Sequence, residues 1–172
     1  MLTSALQERL DVRKLATQEA CFEGGSDLAS LNRFKQALVN DSGKVDYRIK
    51  FYLNESYRPR VEGELKGNVQ LACQRCMQPM PWQVNASFDV AIVLSEEQLK
   101  HVPKEEEAIT AEDGEIVILE LMEDELLLAL PIVQYHPENG CNVQLEWGKN
   151  EVEPVVEKTA KDNPFKILET LK

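Results

Sequence analysis

The chain has 172 residues, 43% hydrophobic and 28% charged, the balance of a folded globule and not of a disordered, collagenous or coiled-coil chain. At that length folding buries roughly 70% of the surface the unfolded chain exposes, so one domain can form without a disulfide framework. The formal net charge of −11 sits almost wholly in residues 96–125, which carry 2 Lys+Arg against 12 Asp+Glu, and this acidity disfavours autonomous binding to duplex nucleic acid.

Gln7, Glu8, Arg9, Asp11, Arg13 and Lys14 crowd the N-terminus, which therefore lacks the apolar stretch of a signal peptide. Residues 4–16 read as a helix with Leu6, Leu10 and Leu15 near one side, broken by Cys21 to Gly25. A second helix is predicted from Asp27 to Val39, where Leu28, Leu31, Phe34 and Leu38 recur at helical spacing and Ser26 is placed to cap. Val45, Tyr47, Ile49, Phe51 and Leu53 then alternate with polar residues, the pattern of a half-buried strand. After a turn near Pro59, Val61, Leu65, Val69 and Leu71 predict a second strand, and Trp82 to Leu94 a third. Gly63 and Gly67 fall on the apolar face of the second strand and leave room for a bulge or a large neighbour. Short connections between these strands imply an antiparallel meander. The expected fold class is α+β, a mainly antiparallel sheet of about three to five strands with flanking helices, in a single domain over residues 1–172.

Residues 96–115 read as an acidic loop, either a solvated surface or a feature that attracts a basic partner. Ile116 to Ile118 suggests a short strand. Leu119 to Leu130 predicts a helix with Leu119, Met122, Leu126 and Leu130 on one side and Glu120, Glu123 and Asp124 in water, ended by Pro131. The apolar run from Leu126 to Val133 is far shorter than the roughly 20 residues that cross a bilayer, so a cytoplasmic protein without membrane association is expected. Residues 135–160 are loop-rich and expected to be partly mobile. Asn163 and Pro164 then start a predicted C-terminal helix over 163–172, whose stripe of Phe165, Leu168 and Leu171 either docks on the core or anchors a partner.

In a reducing compartment the four cysteines point to metal binding, redox chemistry or packing. Cys73 and Cys76 flank Gln74 and Arg75 in the turn between the second and third strands, close enough for both sulfurs to reach one ion. Zinc takes such thiolates at about 2.3 Å in a tetrahedron. His136 and Cys141 are the candidate second pair, making a Cys3His set for a structural zinc. The same Cys73 and Cys76 could instead serve a thiol oxidoreductase, but they lead into a strand and lack the helix N-terminus that lowers a thiol pKa. Thiols packed without an ion are a third reading, and Cys21, apart from the others, reads as a core filler. Glu105, Glu106 and Glu107 raise the alternative of a metal-dependent RNA-processing enzyme. Consecutive in a charged loop, they lack the rigid support that catalytic carboxylates need. The chain has two histidines, with His101 in the belt, and neither a phosphate-cradling glycine motif nor a nucleophile elbow, so neither a catalytic constellation nor a small-molecule substrate is expected.

Three stretches together resemble one family. They are Leu71, Ala72, Cys73, Gln74, Arg75 and Cys76 after an alternating strand, Met122 to Pro131 (MEDELLLALP) followed by His136 and Cys141, and Asn163, Pro164 and Phe165 with Leu168 and Leu171. Their order and spacing are similar to those of the YceD family of large ribosomal RNA subunit accumulation proteins. The resemblance implies a bacterial cytoplasmic, noncatalytic factor for synthesis, processing or stability of 23S rRNA, built on a mainly antiparallel sheet with helices around it. Many members carry several cysteines after the helix, where this chain has only His136 and Cys141. Family genes commonly neighbour that of a small, basic large-subunit ribosomal protein, a partner of the kind the acidic belt would attract. The expected partners are a large-subunit rRNA precursor or such a protein, with Gln74, Arg75, Phe165 and Leu168 as candidate contacts.

Overall fold

Alternation of buried and wet residues sets the frame. In the computed structural model, which describes residues 9–137, 140 and 141, Val45, Tyr47, Ile49 and Phe51 of β3 (Lys44–Leu53) are buried, while Lys44, Asp46, Arg48 and Lys50 face solvent. β4 (Pro59–Ala72) and β5 (Pro79–Val93) continue the meander in antiparallel register, with Gly63 opposite Phe88 and Ala72 opposite Pro79. A Cβ on Gly63 would stand 2.1 Å from Phe88 Cζ, so the ring lies directly across that glycine. The large neighbour that the glycine leaves room for is thus Phe88.

Upstream, the sequence misleads. Cys21 to Gly25 is no break: β2 (Cys21–Asp27) pairs antiparallel with β3 at the sheet edge. Its glycine accommodates a side chain, since a Cβ on Gly24 would lie 2.8 Å from the Tyr47 hydroxyl. The helix predicted over 27–39 is replaced by 3-10 turns at Leu28–Ser30 and Phe34–Ala37. Leu28, Leu31 and Phe34 are fully buried, so their spacing marks the core correctly, but spacing by three also suits 3-10 geometry. The deciding contact is distant: the amides of Arg33 and Phe34 donate to Glu123 Oε1 at 2.6 and 3.2 Å instead of continuing a helical ladder. Ser26 caps nothing; its hydroxyl bonds that of Ser30 at 3.1 Å. Of the helix predicted over 4–16, residues 4–8 lie outside the described residues; its end is α1 (Val12–Thr17), capped by Asp11 Oδ1 accepting from the Lys14 amide at 3.0 Å, while Leu10–Asp11 forms β1.

The acidic stretch is more ordered than a loop. It contains the one-turn helix α2 (Glu96–Leu99), β6 (Ala108–Thr110) and the start of β7 (Glu115–Ile116), which pairs antiparallel with β1. Arg60, nearly buried, anchors it by pairing with Asp89 on β5 and Glu106 of the belt. β6 lies parallel to β5, so the five-stranded sheet, in the order β2-β3-β4-β5-β6, is mixed and not mainly antiparallel as periodicity predicts. The fold class is α+β. α3 (Ile118–Leu128) packs its Ile118, Met122 and Leu126 face toward β5 and the Phe34 turn. Glu123 departs from its predicted wet position, being buried against that turn and paired with Arg33. Among the described residues no helix is long and apolar enough to cross a membrane. Of the 135–160 segment only 135–137, 140 and 141 are described, and the predicted helix over 163–172 lies outside the described residues.

Candidate metal centre

The β4–β5 connection is a tight turn with its own hydrogen bonds. The Cys73 amide donates to the Gln78 carbonyl at 3.0 Å and the Met77 amide to the Cys73 carbonyl at 2.9 Å, with Met77 at φ 58°. This geometry turns the Cys73 and Cys76 side chains inward, where both are buried. After α3 and Pro131 the chain runs along the turn: the Gln74 amide donates to the Gln134 carbonyl at 2.9 Å, and Gln134 Nε2 donates to the Ala72 carbonyl at 2.8 Å. His136 is thereby brought beside the cysteines. The Gly140 amide donates to the Pro137 carbonyl at 2.8 Å, and Cys141 follows it beside the cluster. A Cβ at Gly140 would come within 2.9 Å of the His136 Cβ, which explains a glycine there.

Ligand atoms of Cys73, Cys76, His136 and Cys141 all lie within 4.8 Å of one another. Cys73 Sγ is 3.7 Å from Cys141 Sγ, and His136 Nδ1 is 3.4 Å from Cys76 Sγ and 3.7 Å from Cys141 Sγ. A zinc tetrahedron with Zn–S near 2.3 Å and Zn–N near 2.0–2.1 Å has edges of about 3.8 Å between sulfurs and about 3.6 Å between sulfur and nitrogen. The donor set therefore fits a tetrahedral soft cation in both chemistry and spacing. His136 Nε2 lies 3.3 Å from the Pro79 carbonyl oxygen, which only accepts, so Nε2–H donates there and Nδ1 is the ring atom that faces the sulfurs.

The electrostatics agree with a cation site. Burial pushes the Cys73 thiol up, but backbone hydrogen bonds at Cys76, His136 and Arg75, with one from the His136 ring, outweigh it and hold the group at about 5. One of these donors is the Arg75 amide, 3.4 Å from Cys73 Sγ. Cys141 moves the other way: burial pushes it up, and so does the charge of the neighbouring Cys73 and Cys76 sulfurs. A shared cation relieves that repulsion, because it compensates all the sulfurs at once.

The remaining predicted positions separate. Gln74 is exposed at the turn, and the Arg75 guanidinium lies 5.2 Å from the centroid of the Tyr135 ring. Phe165 and Leu168 lie outside the described residues. Cys21 is half-buried on β2, and His101 is exposed with Nδ1 2.8 Å from the Glu97 carbonyl. Glu106 is engaged by Arg60 and, at 3.9 Å, by Arg58. Sequence reasoning missed Gln134, Tyr135 and Met77. Gln134 and Met77 carry no sequence signal for their roles, whereas Tyr135, adjacent to a candidate ligand, had one.

The family model for the large ribosomal RNA subunit accumulation protein YceD matches residues 61–172, a stretch that includes every ligand of the cluster. A relative from Haemophilus influenzae, named Large ribosomal RNA subunit accumulation protein YceD, is 32% identical over 143 residues, covering 83% of this chain and 82% of its own. No solved structure matches the chain significantly.

Proposed function

The chain belongs to the YceD family of large ribosomal RNA subunit accumulation proteins, and we propose that it is a noncatalytic ribosome-biogenesis factor. In this reading it supports synthesis, processing or stability of 23S rRNA in the cytoplasm by binding a large-subunit precursor component. The Cys73, Cys76, His136 and Cys141 cluster carries the argument: zinc sites with four protein ligands are structural, whereas catalytic ones keep a position for water or substrate. The ion would join the β4–β5 turn and the segment after α3 into one rigid surface. Apparent binding energies of roughly 10–16 kcal/mol in small zinc modules are ample for that purpose.

A low thiol pKa serves a metal ligand as well as a nucleophile, and a β-turn without a helix N-terminus favours the ligand at Cys73. Pairing of Glu106 with Arg58 and Arg60 supports a structural use of that carboxylate over Mg²⁺ chemistry. The partner is a large-subunit rRNA precursor or a basic large-subunit ribosomal protein, the latter steered by the acidic belt.

The test is a tagged chain isolated from growing cells, run on a sucrose gradient and assayed for metal. Co-migration with large-subunit precursors, equimolar zinc and a reduced ratio of 23S to 16S rRNA in a deletion strain are expected. Protein confined to the top of the gradient with an unchanged ratio would overturn the assembly role, and specific cleavage of precursor rRNA by the pure protein with Mg²⁺ would overturn the noncatalytic one.

A further inference from the structure

The turn that holds Cys73 and Cys76 also presents an outer surface that the metal cluster does not use. Gln74, Arg75, Met77 and Gln78 are exposed on it, and the Arg75 guanidinium lies over the Tyr135 ring, 5.2 Å from its centroid, with Tyr135 itself half exposed. Met77 occupies the left-handed region at φ 58°, which costs an L residue about 1–2 kcal/mol and would cost glycine almost nothing. Yet the residue there is a methionine, 68% exposed. A strained position filled by a large wet apolar side chain contributes nothing evident to folding and points to contact with a partner.

Charge narrows the partner. From Leu65 to Phe88 the chain has no Asp or Glu, although the whole molecule carries −11. The carboxylates around β6 lie beside Ala91–Val93 of β5, roughly 40 Å along the strand from Pro79 at the turn. A basic protein would be drawn to that far end, whereas phosphates meet no nearby carboxylate from the turn itself.

We infer that the Arg75–Tyr135 cation–π pair, with Gln74, Met77 and Gln78 around it, is a platform for unpaired bases of single-stranded RNA. Bases stack on aromatic rings and guanidinium planes, and amide side chains can hydrogen-bond their edges. The platform is preorganised, because Gln134 is bonded to both Gln74 and Ala72 and His136 is held at the cluster on the other side of Tyr135. This assignment rests on the reading of the chain as an rRNA-biogenesis factor and names the surface through which it would meet its RNA.

The experiment is an anisotropy titration of the full chain, as isolated from cells, against fluorophore-labelled oligoadenylate and oligouridylate, with duplex RNA of equal length for comparison. Single strands bind in preference to duplex. Tyr135→Ala weakens binding about tenfold, the range of one lost base stack, while Tyr135→Phe retains it. Arg75→Lys keeps the charge but weakens binding through loss of the guanidinium plane on which a base can lie. Met77→Gly weakens binding and leaves the melting temperature equal or higher, which separates contact from stability. Wild-type chain that ignores single strands, or Tyr135→Ala and Arg75→Lys variants that bind as wild type with melting unchanged, overturn the platform. If Tyr135→Ala keeps its RNA affinity but leaves the precursor particle on the gradient, the surface belongs to a protein contact, and the RNA assignment alone falls. A wild-type chain that never meets the particle and leaves rRNA unchanged overturns the biogenesis reading, while the titration still decides the platform.

Discussion

At Cys73 burial and hydrogen bonding oppose each other, and hydrogen bonding wins. The folded thiol is held at about 5, whereas an unfolded-chain thiol titrates near about 8.5. Without metal, the thiolate therefore contributes stability that is complete above about pH 8.5 and is lost as pH falls through about 5. The metal-free wild type is expected to show ultraviolet thiolate absorbance appearing near pH 5, absent from Cys73→Ser; a first thiol titrating only above pH 8 would contradict the geometry at this residue. Cys73, Cys76, His136 and Cys141 were legible as a set, because short spacings within each pair are properties of the chain. Glu123 was not. Helical periodicity assigns it to solvent, but its carboxylate is buried to receive the Arg33 and Phe34 amides, whose approach comes from about 90 residues away in sequence. No local pattern encodes such a partner.

Among the elements, the β4–β5 hairpin shows how a glycine in a strand is read and what it does. Gly63 is buried beneath the Phe88 ring, with no room for even one methyl group. Gly63→Ala is expected to destabilise the protein by about 1–3 kcal/mol, as overpacking does, and to cost much less in a Phe88→Ala background. Urea denaturation of the single and double variants measures the coupling, and additive effects would place the ring elsewhere. Strands β3, β4 and β5 were legible because an alternating pattern of this length suits few other structures. The segment over 27–39 misled because apolar spacing by three and four marks a buried face without specifying which hydrogen bonds lie behind it. There the carboxylate on α3 takes the amides, and the chain forms 3-10 turns.

For the molecule as a whole, the Cys3His cluster brings together segments that are 60 residues apart, the β4–β5 turn and the chain after α3. Removal of metal is expected to loosen that junction while the meander holds. Amide exchange at Gln74, whose amide bonds the Gln134 carbonyl, should accelerate on chelation, while Ile49 and Leu65 in the central strands stay protected. Uniform acceleration across the sheet would instead make the ion a requirement for the entire fold. The acidic belt similarly depends on tertiary contacts, since Arg60 reaches from β4 to Glu106 and Asp89. The sequence by itself determined the meander, the entry of Met122 and Leu126 of α3 into the core and the residues able to bind a soft cation, because these follow from local periodicity and side-chain chemistry. Only the tertiary structure decided the parallel β6, the edge strand β2, the burial of Glu123 and the placement of Arg75 over Tyr135, because each depends on groups that meet in space with no fixed separation along the chain.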